Sequence, residues 1–138
     1  MPILTIHLAE GQYSQVQCKR LLAEASRIYA EILKSPIERV RAVIELHRPS
    51  MAAVGGIPVD ESGVRAPYFH FLVLKGRPLE ERQRLLQRFT DLIVEILEVD
   101  RSLVRGGCWP IEPENWAIAG IPASTVRASE LAGRTTGA

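Results

Sequence analysis

Two stretches of the chain carry the same helical pattern of apolar positions. In the first, Leu21, Leu22, Ala25, Ile28, Tyr29, Ile32 and Leu33 recur at steps that line one face of an α-helix. In the second, Leu85, Leu86, Phe89, Leu92, Ile93, Ile96 and Leu97 repeat it, each displaced by 64 positions. Apolar runs of strand length flank both helices. Ile3 to Leu8 and Tyr68 to Leu74 precede them; Val40 to Leu46 follows the first. A weaker run, Leu103 to Cys108, follows the second, interrupted by Gly106 and Gly107. The trailing segments Val40-Arg41 and Gly56-Ile57-Pro58 match Val104-Arg105 and Gly120-Ile121-Pro122 at the same offset of 64. The leading strands match at 65, pairing Pro2 with Pro67, Ile6 with Phe71 and Gly11 with Gly76. A single-residue length change in the turn or first part of the helix accounts for the difference.

The chain is therefore a tandem repeat. Ser14 with Gln17 forms a capping box that opens the first helix, and Pro36 lies beyond its end. Pro78 starts the second helical region. A strand–helix–strand crossover requires parallel strands and a right-handed connection. The pattern thus predicts an α/β (α+β sandwich) protein: two β-α-β units forming a four-stranded sheet with two helices on one face. The expected boundaries are residues 2–56, a linker at 57–66, a second unit at 67–122, and a polar tail at 123–138 expected to fray. The other sheet face, left partly uncovered, is expected to pack against further subunits.

Composition narrows the function classes. The chain has 138 residues, 46% hydrophobic and 24% charged, with a formal net charge of +1. That balance suits a single globular domain and argues against a dedicated nucleic-acid surface. No run is long enough for a membrane span and no signal peptide is evident, so a cytoplasmic location is expected. Cys18 and Cys108 lack metal-binding spacing, and neither GxGxxG nor a P-loop is present. No metal and no cofactor are expected. His7 and His70 read as structural strand residues, and His47 as an exposed one at a strand end.

One residue carries distinctive chemistry. If Met1 is removed, Pro2 becomes a secondary amine at the head of an apolar strand. Desolvation disfavours its charged form, leaving a base suited to proton transfer at neutral pH. A Met-Pro start also has a plain reading as an ordinary N-terminus. Pro67 holds the equivalent strand position, but its nitrogen is an amide.

These residues carry a family likeness. The segment Pro2 to Gly11, the amphipathic helix, Pro36, Val40-Arg41 and Val54-Gly55-Gly56 resemble 4-oxalocrotonate tautomerase. So do Leu74-Lys75-Gly76-Arg77, Val104-Arg105 and Asn115 to Gly120 in the second unit. The chain looks like a fused member of the tautomerase superfamily over about residues 2–122. The resemblance implies that Pro2 is the catalytic base and Arg77 a partner binding carboxylate or developing negative charge. It implies a pocket role for Trp116. Arg41 and Arg105 match an arginine of the second strand; either could contact substrate from a neighbouring chain or simply pair with glutamates. Tyr29 reads as a core residue, though some dehalogenase-like relatives have a histidine near this position.

The post-glycine arginine and the aromatic stand only in the second unit, as Arg77 and Trp116, against Gln12 and Ala52 in the first. The resemblance therefore implies one working site, made from Pro2 of one half and Arg77 and Trp116 of the other, and a dead mirror site at Pro67. It implies isomerisation of a small 2-oxo or 2-hydroxy-dienoic acid by a homotrimer. Hydratase, cis-3-chloroacrylic acid dehalogenase-like or decarboxylase chemistry is an alternative, as is a non-catalytic oligomeric homologue. No carboxylate falls where a water-activating one would be expected, since that region reads Ala117-Ile118-Ala119.

Overall fold

The computed structural model describes residues 2–137; the expectation concerning Met1 lies outside them. The chain runs β1 (Ile3–Ala9), α1 (Gln15–Leu33), β2 (Arg41–His47), β3 (Ala53–Val54), β4 (Ile57–Pro58) and α2 (Val59–Ser62). It continues β5 (Tyr68–Leu74), α3 (Leu79–Leu97), β6 (Arg105–Ile111), β7 (Ala117–Ile118), β8 (Ile121–Pro122), α4 (Ala123–Val126) and α5 (Ala128–Gly137). The capping box forms as expected. Ser14 Oγ accepts from the Gln17 amide at 3.1 Å, and Gln17 Oε1 accepts from the Ser14 amide at 2.9 Å. Both long helices end on a left-handed residue, Lys34 (φ 52°) and Glu98 (φ 55°).

The four long strands form one sheet in the order β2-β1-β5-β6. Each unit contributes a parallel pair, and the units join by antiparallel pairing of β1 with β5, Ile3 opposite Leu72 and His7 opposite Tyr68. Alternation then sorts the side chains. Leu4, Ile6 and Leu8 of β1, with Phe69, Phe71 and Val73 of β5, are buried beneath α1 and α3. Edge-to-face aromatic contacts lock this layer, with ring centroids 5.3 Å apart for Tyr29–Phe89 and 5.2 Å for Phe71–Phe89. The opposite face presents Thr5, His7, Glu45, Tyr68, His70 and Trp109. No described helix is long and apolar enough to cross a membrane.

Two segments differ from their sequence expectation. The linker at 57–66 holds β4, which pairs with β3 as a short hairpin, and then α2. The tail forms α4 and α5, with Ala123 fully buried at its root. Gly133 and Gly137 suggested fraying, but the helix-compatible run from Ala128 to Ala132 outweighs one interior glycine.

The interrupted strand is also explained. β6 extends to Ile111 despite two glycines, and a Cβ added at Gly106 would lie 2.1 Å from Cζ of the fully buried Phe69. Gly106 is the space Phe69 fills. Gly106→Ala should therefore destabilise the fold by about 1–3 kcal/mol through overpacking, read as a lower urea midpoint. An unchanged midpoint would contradict this packing.

Candidate active site

The antiparallel seam brings the start of β1 beside the end of β5. Pro2 is buried at that point, and its carbonyl accepts from the Arg41 amide at 2.9 Å. Two residues after β5, Gly76 adopts φ 111°, a conformation glycine reaches without Cβ strain. The turn returns Arg77 towards Pro2. Pro2 and Arg77 line one small cavity of about 20 Å³ with Leu33, Ser35, Leu72, Leu74, Arg39, Arg127 and Glu130.

Arg77 is held in place. Its Nη1 donates to the Leu33 carbonyl at 2.9 Å and to Glu81 Oε1 at 3.3 Å, and the side chain is 15% exposed. The remaining guanidinium N–H groups are donors for an anion. Arg39 Nη1 donates to both oxygens of Glu130, at 3.1 and 3.4 Å. Arg127 Nε is buried without a hydrogen bond and lies 3.9 Å from Glu130 Oε2. Three guanidiniums and the Glu130 carboxylate thus line the cavity beside Pro2. Sequence reasoning missed Arg39, Arg127 and Glu130. Arg39 corresponds to Leu103 in the second unit, so the repeat gave no hint. The other two lie in the tail, where their three-residue spacing was the available signal.

Trp116 and Arg41 line a neighbouring cavity of about 230 Å³, which shares Arg39 and Arg127 with the first and abuts Ile3. They lie one cavity away from Pro2 within a single chain. Arg105 lies at the opposite end, where its backbone amide donates to the Pro67 carbonyl at 3.2 Å. Its side chain turns to the Ser102 and Val104 carbonyls at 2.6 and 3.0 Å. Tyr29 does not line the Pro2 cavity. It is fully buried, its hydroxyl donates to the Leu72 carbonyl, and the Ile3 carbonyl lies 3.5 Å away. Burial raises its pKa well above the ordinary tyrosine value, so it stays protonated. It braces the β1–β5 seam beneath the cavity.

The mirror position is also a cavity. Pro67, Gln12 and Ala52 meet there in a space of about 160 Å³, beside Tyr13, His7 and His47. Among the described residues no arginine lines it. The histidines read as separate structural or exposed residues instead form a contact chain. His7 Nδ1 is 2.8 Å from His47 Nε2, and His7 Nε2 is 3.1 Å from His70 Nε2. His47, expected to be exposed, is half-buried. Burial lowers the pKa of His7, partly opposed by Glu45.

Comparisons with known proteins agree with the fold. The Tautomerase enzyme family matches residues 2–61. Among solved structures, Pt0534 inactivated by 2-oxo-3-pentynoate superposes with a TM-score of 0.82 at 22% identity, covering 90% of this chain and 98% of its own. The wild-type F6 fused 4-OT, an asymmetric trimer, gives 0.82 at 17% identity over 90% and 98%. N1, a member of the cis-3-chloroacrylic acid dehalogenase family, gives 0.75 at 15% identity over 97% and 99%. No curated protein matches the sequence. The first unit matches the Tautomerase enzyme family, and the chain as a whole has the tandem fold of the fused 4-OT structures.

Tyr29→Phe should cost about 1–3 kcal/mol, because the Leu72 carbonyl loses its side-chain donor inside the core. A thermal or urea unfolding curve matching the parent would show that the hydroxyl is not bracing the seam.

Proposed function

We propose that the chain is a proton-transfer isomerase of small 2-oxo or 2-hydroxy-dienoic acids, with Pro2 as its base. The observation that carries this reading is the convergence of buried Pro2 with Arg77 in one cavity. With Met1 removed, Pro2 presents a secondary amine. Its apolar walls and neighbouring guanidiniums disfavour the protonated form. The neutral amine takes a proton from the hydroxyl or carbon of the bound acid and returns it elsewhere on the conjugated system, with no net gain or loss of protons. Arg77 holds the carboxylate or the negative charge that develops on the oxygen. Trp116 and Arg41 serve the outer part of the substrate, reached through the neighbouring cavity. Arg105 is the weaker candidate, since its side chain is engaged at the far end.

Glu130 supports a second reading. A carboxylate in the Pro2 cavity could activate water for hydration or dehalogenation. Its pairing with Arg39 and with Arg127 favours another role, as an internal anion where a substrate carboxylate would bind. Glu130→Gln separates these. As an internal anion, its loss lowers KM for enol substrates and keeps kcat within about threefold. As a water activator, its loss abolishes the turnover of 3-haloacrylates that the parent shows.

A trimer of tandem chains is part of the proposal. It draws on the fused 4-OT trimer and on the exposed Val43 and Trp109 of the open sheet face. Sedimentation of the native protein as a monomer would remove it.

The direct test assays phenylenolpyruvate and 2-hydroxymuconate. Protein lacking Met1, as shown by intact mass, should turn them over. Pro2→Ala should lower kcat/KM by about 10²–10⁴-fold, and Arg77→Ala by about 10²–10³-fold. Equal activity in Pro2→Ala, or full activity with Met1 retained, would overturn the reading.

A further inference from the structure

The geometry points to a divalent transition-metal site on the open face of the sheet, formed by His7, Glu45 and His47, with His70 as a positioning residue. Register creates it. His7 of β1 lies opposite Glu45 of β2, and His47 follows two residues later on the same face. His7 Nδ1 is 2.8 Å from His47 Nε2 and 3.4 Å from Glu45 Oε2. All three ligand atoms lie within 4.8 Å of one another. Ligands about 2.0–2.2 Å from a tetrahedral ion stand about 3.3–3.5 Å apart, so small side-chain rotations suffice to hold one.

The second nitrogen of His7 offers a way to fix the tautomer the site needs. His7 Nε2 is 3.1 Å from His70 Nε2, and a neutral imidazole carries one N–H. Donation from Nε2 to His70 leaves the Nδ1 lone pair facing His47 and the Glu45 carboxylate. With the His47 tautomer that leaves Nε2 unprotonated, His7 Nδ1, His47 Nε2 and the Glu45 carboxylate converge as three ligand atoms for one cation. Donation from the far nitrogen of a ligating histidine is the usual way its orientation is fixed.

Two imidazoles and one carboxylate suit zinc or a similar first-row divalent ion rather than magnesium or calcium. Three protein ligands leave a position for a small molecule. That position adjoins the mirror cavity of about 160 Å³, which His7 and His47 line. Tyr13 lines the same cavity, and its hydroxyl is buried without a hydrogen-bond partner. An ion would supply a positive charge beside a cavity where Gln12 stands in place of an arginine and Pro67 has no amine. The site is independent of the Pro2 reading, since no ligand is shared with the Pro2 cavity.

The test is metal binding by the full-length, chelator-stripped protein, using Zn²⁺ in calorimetry and Co²⁺ in visible absorption. One equivalent per chain should bind, with a low-symmetry Co²⁺ spectrum that Zn²⁺ abolishes. Glu45→Gln, at an exposed position, and His47→Ala should each weaken binding at least about tenfold. His70→Ala should keep the stoichiometry and weaken affinity by about 10–100-fold. Circular dichroism establishes that each variant is folded. Absence of saturable binding at one ion per chain would overturn the assignment, showing the histidines to be a neutral hydrogen-bonded chain. Affinity unchanged in both Glu45→Gln and His47→Ala would overturn it equally.

Discussion

The antiparallel hydrogen bonding between β1 and β5 is the constraint on which the rest of the molecule depends. Each β-α-β unit is internally parallel, so each strand and its partner start at the same end of the sheet. Joining the units through an antiparallel seam reverses one against the other. The first residue of each leading strand then meets the turn that follows the other leading strand. Pro2 shares a cavity with Arg77, and Pro67 shares one with Gln12. A parallel seam would place both prolines at one end and both turns at the other. Tyr29 reinforces the seam from below by bonding to the Leu72 carbonyl opposite Ile3.

Given that geometry, the two ends differ for simple chemical reasons. A polypeptide has one N-terminus, so only one of two equivalent prolines can carry an amine. Around it stand Arg39, Arg77 and Arg127. The other end has an amide nitrogen, Gln12 and Ala52, and beside it a cluster of imidazoles. The two ends of the seam thus carry different side chains above a shared core.

The repeat and its helical faces were legible because they obey local periodicity. Leu21, Ala25, Ile28 and Tyr29, and later Leu85, Phe89 and Ile93, are buried as their spacing implies. The pairing of Pro2 with Arg77 followed from the repeat together with the family resemblance. Arg39 stayed hidden because its counterpart is Leu103. Arg127 and Glu130 stayed hidden because the tail has no repeat partner, and its glycines obscured a helix. The histidine cluster joins strands through register: His7 lies 40 residues from His47 and 63 from His70. Spacing rules for metal sites look along the chain and do not see across a sheet.

The claim that one end of the seam holds a reactive amine and the other does not can be tested in a single experiment. 2-Oxo-3-pentynoate has an alkyne conjugated to a 2-oxo acid, to which a neutral amine adds. The native protein, treated with it and digested, should give one adduct per chain by peptide mass spectrometry, located on Pro2. No adduct should appear on the peptide containing Pro67. An unmodified Pro2 at full occupancy of reagent, or a peptide that still begins with Met1, would contradict the account.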